Sequence, residues 1–347
     1  MRVALDATPL TEPTGGIRRY TAELARALAE AFPEDRCVLV SDQSYQYSGP
    51  DAVEAKIAEP DFCNKRWWTL GLPRFLRREK IDVFHGTDFA VPYIPTRPSV
   101  MTVHDLSPWR FEGSARVRRR TPWQLRLGLA TMVITPTGAV RDEVIDFFGV
   151  APEEVVAIPL AAGDRFRPMH HSVAPRPYFL YVGSFQARKN LRVIVQAWRE
   201  ARMRREVDLV LVGRGKLTAP PDMPGLIVRG EVPEDELHRL YAQAVGVLCP
   251  SLYEGFCLPV LEAMQCGAAT ITSKDPAIVE VAGNGTLQLD ANDVRGWRYA
   301  MEGLLVDMGE RSHWQFQGLC RSRVFSWRRT AEMTRQVYEK AMRRFHG

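Results

Sequence analysis

The sequence predicts an α/β protein of two Rossmann-like domains, and three observations carry that expectation. Short apolar runs alternate with helical patterns about ten to fifteen residues long, an order that favours parallel sheets. The alternation pauses in a proline-rich polar segment near half length and then restarts. The 347 residues suffice for about two domains at roughly 150 residues each.

Taken in order, residues 2–6 (RVALD) read as a short buried strand. Gly15 and Gly16 follow a loop, and Ile17, Tyr20, Leu24 and Leu28 recur at helical spacing until Pro33 closes the helix. A strand over 38–41 completes a β–loop–α–β unit. Residues 42–80 read as less regular, with a Trp67-Trp68 pair and a helical stretch over 73–79. Strands follow at 83–85 and 100–103, then a basic stretch with Arg116, Arg118, Arg119, Arg120 and Arg126. A strand at 133–135, a helix over 138–148 and a strand at 155–158 come next. The segment 164–177 (DRFRPMHHSVAPRP) is dense in proline and polar residues and is the best linker candidate, with His170-His171 read as solvated. Beyond it, strands at 178–182, 207–212, 226–228, 246–249 and 268–272 alternate with helices over 190–204, 234–244 and 260–266. Helices over 294–307, 311–322 and 327–345 end the chain. The expected domains are 1–165 and 178–326, joined by a linker over 166–177 and followed by a terminal helix within 327–347.

Composition narrows the function classes. The chain is 46% hydrophobic and 25% charged, ordinary for a globular protein, which rules out a disordered tail or a disulfide-stapled miniprotein. Net charge is only +5, and just 7 of the 46 basic residues are lysine, leaving 39 arginines. The planar guanidinium fork suits phosphate and carboxylate ligands, although genome base composition explains the excess equally well. The cysteines (Cys37, Cys63, Cys249, Cys257, Cys266, Cys320) form no C-x-x-C pair and fit free thiols in a reducing compartment. The N-terminal apolar run stops at Asp6, too short for a signal-peptide core. No apolar stretch approaches the roughly 20 residues of a bilayer span. A cytoplasmic protein with no nucleic-acid partner is expected.

The most informative stretch is 250–273, PSLYEGFCLPVLEAMQCGAATITS. Glu254 sits in a loop directly after a strand, and Gly255 permits an unusual backbone angle or a close ligand approach. Pro259 suits the first turn of a helix. The amides of Leu258, just outside that helix, and of Val260 and Leu261 could then face an anion, because first-turn amides lack internal partners. Glu262 falls one turn inside. Two carboxylates beside a ring of amides suit a ligand with both hydroxyls and phosphates. A capped core helix with two solvated glutamates fits the same residues.

This stretch resembles the E-x7-E region of the retaining, nucleotide-sugar-dependent glycosyltransferases of family 4, whose common form is EGFGLPxLEAMxxG. Here it reads Glu254-Gly255-Phe256-Cys257-Leu258-Pro259, Leu261-Glu262-Ala263-Met264 and Gly267. Further features fall in family order from residue 1 to about 340. They are Gly15-Gly16-Ile17, His104-Asp105 at a strand end, Gly183 through Arg188-Lys189-Asn190-Leu191, Gly213 and Gly215, Gly230-Glu231-Val232 with Leu237, Leu240 and Tyr241, and Glu280-Val281-Ala282-Gly283. The resemblance implies the GT-B fold, α/β with two Rossmann-like α/β/α domains facing a central cleft.

It also implies roles. Glu254 would hold hydroxyls of the transferred sugar, and Glu262 those of the ribose. Arg188 and Lys189 would neutralise the donor diphosphate and stabilise the leaving group, where cleavage at the anomeric carbon accumulates negative charge. His104 would contact the donor sugar or the acceptor, with Asp105 orienting it or capping the next turn. Gly15, Gly16, Gly183, Gly230, Gly255, Phe256, Leu258 and Val260 complete the expected donor-binding set. The implied reaction retains the donor configuration and needs no metal, and no Asp-x-Asp lies near a strand end.

The Arg-Lys-Asn-Leu form of the loop is similar to bacterial mannosyltransferases of polysaccharide and lipopolysaccharide synthesis. That points to GDP-mannose as donor and a saccharide or lipid-linked saccharide as acceptor. Trp67, Trp68, Trp109 and Trp123 are candidates to stack on sugar rings or to fill the core. The run 116–120 would meet an anionic lipid-linked acceptor or the inner membrane surface, or would be a solvated helix face. Three departures bear on the donor: Cys257 stands where the family has Gly, Ser184 where many relatives have a basic residue, and 273–279 (SKDPAIV) replaces the usual small-residue stretch. Alternatives that stay open are a UDP- or dTDP-sugar donor, a nucleotide-sugar epimerase or hydrolase, and a catalytically degenerate nucleotide-sugar-binding scaffold. A nicotinamide dehydrogenase is disfavoured because no G-x-G-x-x-G follows the first strand.

Overall fold

The computed structural model describes residues 1–346 apart from 60, 62, 112, 170–174, 204 and 217–222. His170, His171 and the middle of the segment read as a linker therefore lie outside the described residues. The chain divides into two compact units, Met1–Leu160 with Ser326–Gly347, and Ala161–Phe325.

The first unit runs β1 (Arg2–Asp6), α1 (Gly16–Ala31), β2 (Arg36–Ser41), β3 (Val53–Ile57), α2 (Leu72–Arg78), β4 (Val83–Gly86), β5 (Ser99–Thr102), α3 (Ser107–Arg110), α4 (Ala115–Arg126), β6 (Met132–Thr135), α5 (Gly138–Phe148) and β7 (Val155–Ala157). The second runs β8 (Tyr178–Val182), α6 (Leu191–Arg202), β9 (Asp208–Val212), β10 (Leu226–Arg229), α7 (Glu234–Gln243), β11 (Gly246–Cys249), α8 (Leu258–Gln265), β12 (Thr270–Ser273), α9 (Pro276–Ala282), β13 (Leu287–Leu289), α10 (Val294–Val306) and α11 (Met308–Ser322). The last helix, α12 (Trp327–His346), belongs to the first unit.

Both sheets are parallel throughout. Their orders are β3-β2-β1-β4-β5-β6-β7 and β10-β9-β8-β11-β12-β13. Strands buried on both faces read as continuous apolar runs, which is why most of them are legible in the sequence. The second core centres on Trp198 and Trp297, between α6 and α10, against Phe179, Leu209 and Leu211.

Four elements, β3, α3, α9 and β13, fall outside the expected pattern. β3 is a five-residue edge strand hidden in the region read as irregular. Its Glu54 and Lys56 pair with Arg2 (3.2 Å) and Glu79 (2.6 Å), and charges on an edge strand are a common way to protect it. The basic stretch is a helix, α4, as one of its two readings has it, with Pro122 inside. Residues 276–282 form α9, capped by Asp275, whose Oδ1 accepts from the amides of Ala277 (3.1 Å) and Ile278 (3.2 Å).

α12 packs against α1 in the first unit. Arg335 pairs with Asp35 at 2.7 Å, and Thr330 donates to the Pro159 carbonyl at 2.7 Å. A buried chain of hydrogen bonds joins this helix to the sheet. Tyr338 meets His85 Nδ1 at 2.7 Å, His85 Nε2 meets Thr102 at 2.7 Å, and Thr102 meets Tyr20 at 2.9 Å. Burial drives the His85 pKa down to about 3, so the ring is neutral near pH 7. Among the described residues no helix is long and apolar enough to cross a membrane.

Candidate active site

In an open parallel sheet, ligands bind beyond the carboxyl ends of the strands where the strand order reverses. In the second unit that point lies between β8 and β11, and the candidate residues gather there. After β8 the chain makes a short turn through Arg188 and Lys189. Asn190 takes the left-handed region (φ +54°), and its Nδ2 donates to the carbonyls of Pro250 (3.3 Å) and Ala291 (2.7 Å). The Leu252 amide donates to the Arg188 carbonyl at 2.8 Å. These bonds hold the basic turn against the loop that follows β11.

The result is a compact charged cluster. Lys189 Nζ donates to Glu254 Oε1 at 2.5 Å, and Arg188 Nη1 lies 3.4 Å from Oε2 while donating to the Tyr253 carbonyl at 3.0 Å. Ser251 Oγ donates to Glu254 Oε1 at 2.7 Å. Glu254 is only 6% exposed. Burial alone pushes its pKa up, but Lys189, Arg188 and the hydrogen bonds outweigh that and hold it below the usual carboxylate range. Burial likewise works against the Lys189 ammonium, and Glu254 reverses the balance, so Lys189 stays above its ordinary value. The cluster keeps both cations charged beside one ionised carboxylate.

Gly183, Gly213 and Gly230 come together just past the ends of β8, β9 and β10. The Gly213 amide donates to the Gly230 carbonyl at 3.2 Å, and a Cβ on Gly213 (φ +143°) would lie 1.9 Å from the Gly183 oxygen. Glycine at 213 is thus demanded by two loop backbones in contact.

Expectations for Gly255, Leu258 and Val260 are corrected. Gly255 does not adopt the unusual angle; the left-handed residue is Cys257 (φ +67°, ψ +66°), at the start of α8. Leu258 is the first residue of α8, inside the helix. The Val260 amide closes the first turn onto the Cys257 carbonyl at 3.0 Å, which removes it from the amides assigned to an anion. Phe256 is buried edge-on to Phe325, with ring centroids 5.9 Å apart. Glu262, 2% exposed, accepts a hydrogen bond from the buried Tyr241 phenol at 2.9 Å. Sequence reasoning missed Ser251, although its place three residues before Glu254 was the available signal.

In the first unit, Gly15 begins α1 with φ +132°, and nothing crowds a Cβ there, so the backbone angle selects glycine; Gly16 is the first helical residue. His104 Nε2 donates to the Thr87 carbonyl at 2.7 Å, which fixes the proton on that nitrogen. Its ring stands edge-on to Tyr20, with centroids 5.0 Å apart. Asp105 caps the next turn, accepting from the Ser107 amide (2.9 Å) and hydroxyl (2.6 Å). Two carboxylates missed by the sequence reading lie at the ends of β1 and β4. Burial raises the Asp6 pKa to about 6, and burial also raises that of Asp88, against the pull of His104 and Arg120. Trp67 is a core residue beside Phe75, Trp68 lies under the Arg120 guanidinium, Trp109 packs on Phe148, and Trp123 is 53% exposed.

The profile of glycosyl transferases group 1 matches residues 176–307, and that of glycosyltransferase family 4 matches residues 14–162. The chain thus carries a family 4 domain and a group 1 domain, and it is a glycosyltransferase. It is 29% identical to the O-antigen chain mannosyltransferase B of Escherichia coli, over 98% of this chain and all of that one. Two solved structures are similar at a TM-score of 0.74. They are WaaG, a glycosyltransferase involved in lipopolysaccharide biosynthesis (15% identity, 96% of this chain and 98% of that one), and Anabaena Alr3699/HepE in complex with UDP and glucose (16%, 98% and 100%). At those identities they bear on the fold, which is GT-B, with two Rossmann-like α/β domains.

Proposed function

We propose that this glycosyltransferase moves mannose from GDP-mannose, with retention of configuration, onto a saccharide or lipid-linked saccharide acceptor in cell-surface glycan synthesis. The observation that carries the reading is the Arg188–Lys189–Glu254 cluster at the β8/β11 reversal point. Two buried-edge cations suit a diphosphate whose charge grows as the sugar departs. The adjacent carboxylate suits sugar hydroxyls. The mannosyltransferase relative supports the choice of sugar.

Glu254 is already ion-paired to both cations, which makes it a poor nucleophile or acid. Front-side displacement, with the leaving phosphate accepting the acceptor's proton, needs no second carboxylate across the sugar. Arg188 and Lys189 carry the positive charge that a metal would otherwise supply. Glu262, Gly183, Gly230 and the start of α8 frame the nucleotide. The first unit takes the acceptor, with Gly15, Gly16 and His104 at the sheet end. On α4, Arg116, Arg118, Arg119 and Arg126 are exposed beside Trp123 and Leu127, a surface suited to an anionic membrane face.

Calorimetric titration with GDP, UDP, dTDP and ADP tests the base. Turnover of GDP-mannose with and without EDTA, with NMR of the product's anomeric proton, tests the rest. Tightest binding of GDP and an α-linked product that forms in EDTA are expected. Preference for UDP or dTDP, or an inverted product, overturns the corresponding part.

A further inference from the structure

We propose that Cys249 and Cys257 are a dithiol that closes reversibly to a disulfide across the base of the Glu254 loop. Cys249 ends β11, Cys257 precedes α8, and seven residues including Glu254 lie between them. Both are buried, and their sulfurs are 3.1 Å apart. A disulfide requires about 2.05 Å, so the sulfurs must close by about 1 Å.

The backbone points the same way. Cys257 holds the left-handed region at a cost of roughly 1–2 kcal/mol for a residue with a Cβ. That conformation aims its side chain at Cys249. The Glu254 carboxylate lies within 4.8 Å of both sulfurs, so a thiophilic cation is the rival occupant. Its oxygens already accept from Lys189, Arg188 and Ser251, and two fixed cations repel a third positive charge.

With hydrogen peroxide as oxidant, one thiol sulfur attacks an oxygen. The O–O bond breaks, and the thiol proton leaves with the departing hydroxide as water. The second sulfur then displaces hydroxide from the sulfenic acid, forming S–S and releasing a second water. A dithiol reductant reverses the reaction by exchange.

The consequence for turnover rests on the proposed donor site, whereas the bond itself does not. The full-length chain is treated with peroxide, its remaining thiols are alkylated after denaturation, and its peptides are weighed. We expect a Cys249–Cys257 linked species two hydrogens lighter than the reduced one, lost on dithiothreitol and absent from C249A and C257G. Recovery of both as free or over-oxidised thiols, or of zinc held by the reduced chain that blocks coupling, overturns the proposal. GDP-mannose turnover is followed in parallel. A linked species with undiminished turnover refutes the donor role of the Glu254 loop and leaves the dithiol standing.

Discussion

The two units share a sheet plan and differ in what they place at the point of reversal. Each has one reversal, between β1 and β4 in the first and between β8 and β11 in the second. The second holds two cations around one ionised carboxylate. The first holds two carboxylates, Asp6 and Asp88, whose pKa values burial pushes up, with the His104 ring nearby. A diphosphate suits the former and repels the latter. Hydroxyl groups suit the latter, whose carboxyl oxygens accept hydrogen bonds. One architecture thus places two chemically distinct groups of side chains at its strand ends.

The largest expected effect tests that division. K189A removes a cation beside the leaving group and is expected to lower GDP-mannose turnover by about 10²–10³-fold and weaken GDP binding. H104A is expected to lower turnover while leaving GDP affinity within about two-fold, since Thr87, Tyr20 and Phe89, which it touches, lie in the first unit. Steady-state kinetics and GDP titration on both variants, with thermal melts confirming that they fold, measure it. Equal loss of GDP affinity in the two would erase the distinction.

The charge difference also has a pH signature. A rise in the Asp6 pKa from 3.8 to about 6 corresponds to about 3 kcal/mol. Between those values the folded protein binds more protons than the unfolded one. Stability contributed by Asp6 is therefore fully present below about pH 3.8, falls as pH rises, and is gone above about pH 6. His85, with its pKa lowered to about 3, acts in the opposite sense, losing stability as pH falls below 6.5. It is common to wild type and D6N, so it cancels in their difference. D6N is expected to gain about 2–3 kcal/mol on wild type between about pH 4 and pH 7, as read by denaturant titration. A pH-independent difference would mean that Asp6 is an ordinary carboxylate.

How much of this was legible in the sequence follows from the physics of each part. Most strands and helices were, because strands buried on both faces and amphipathic helices leave clear periodicity. β3 was not, because two of its five residues are charged. The signal for α9 was present as Asp275-Pro276, a capping residue before a first-turn proline, but it was weighed only as a departure from a motif. In the site, Glu254, Arg188 and Lys189 were named from their motifs. Their pairing was not legible, because it joins residues 65 apart through tertiary structure. The sequence offers Gly255 for a close ligand approach or for an unusual backbone angle, which glycine takes by default. The chain spends it on a cysteine instead.

That cysteine gives the smallest of the expected effects and the most local. Replacing Cys257 by glycine relieves roughly 1–2 kcal/mol of left-handed strain. It adds unfolded-state entropy worth roughly 0.5–1 kcal/mol and removes a small buried side chain. The terms nearly balance, so C257G is expected to change stability by less than about 1 kcal/mol, with GDP affinity preserved. A cysteine at 257 that served only packing would give a clear loss on the same substitution, since deleting a buried side chain normally destabilises. Thermal melts of C257G beside C249A separate the two cases. C249A removes a comparable thiol from the end of β11, where no positive φ is recorded, and so reports the packing loss without the strain relief. A larger loss for C257G than for C249A would show that the second unit tolerates its left-handed cysteine at no cost, and that the loop between β11 and α8 is set by something other than the contact of the two sulfurs.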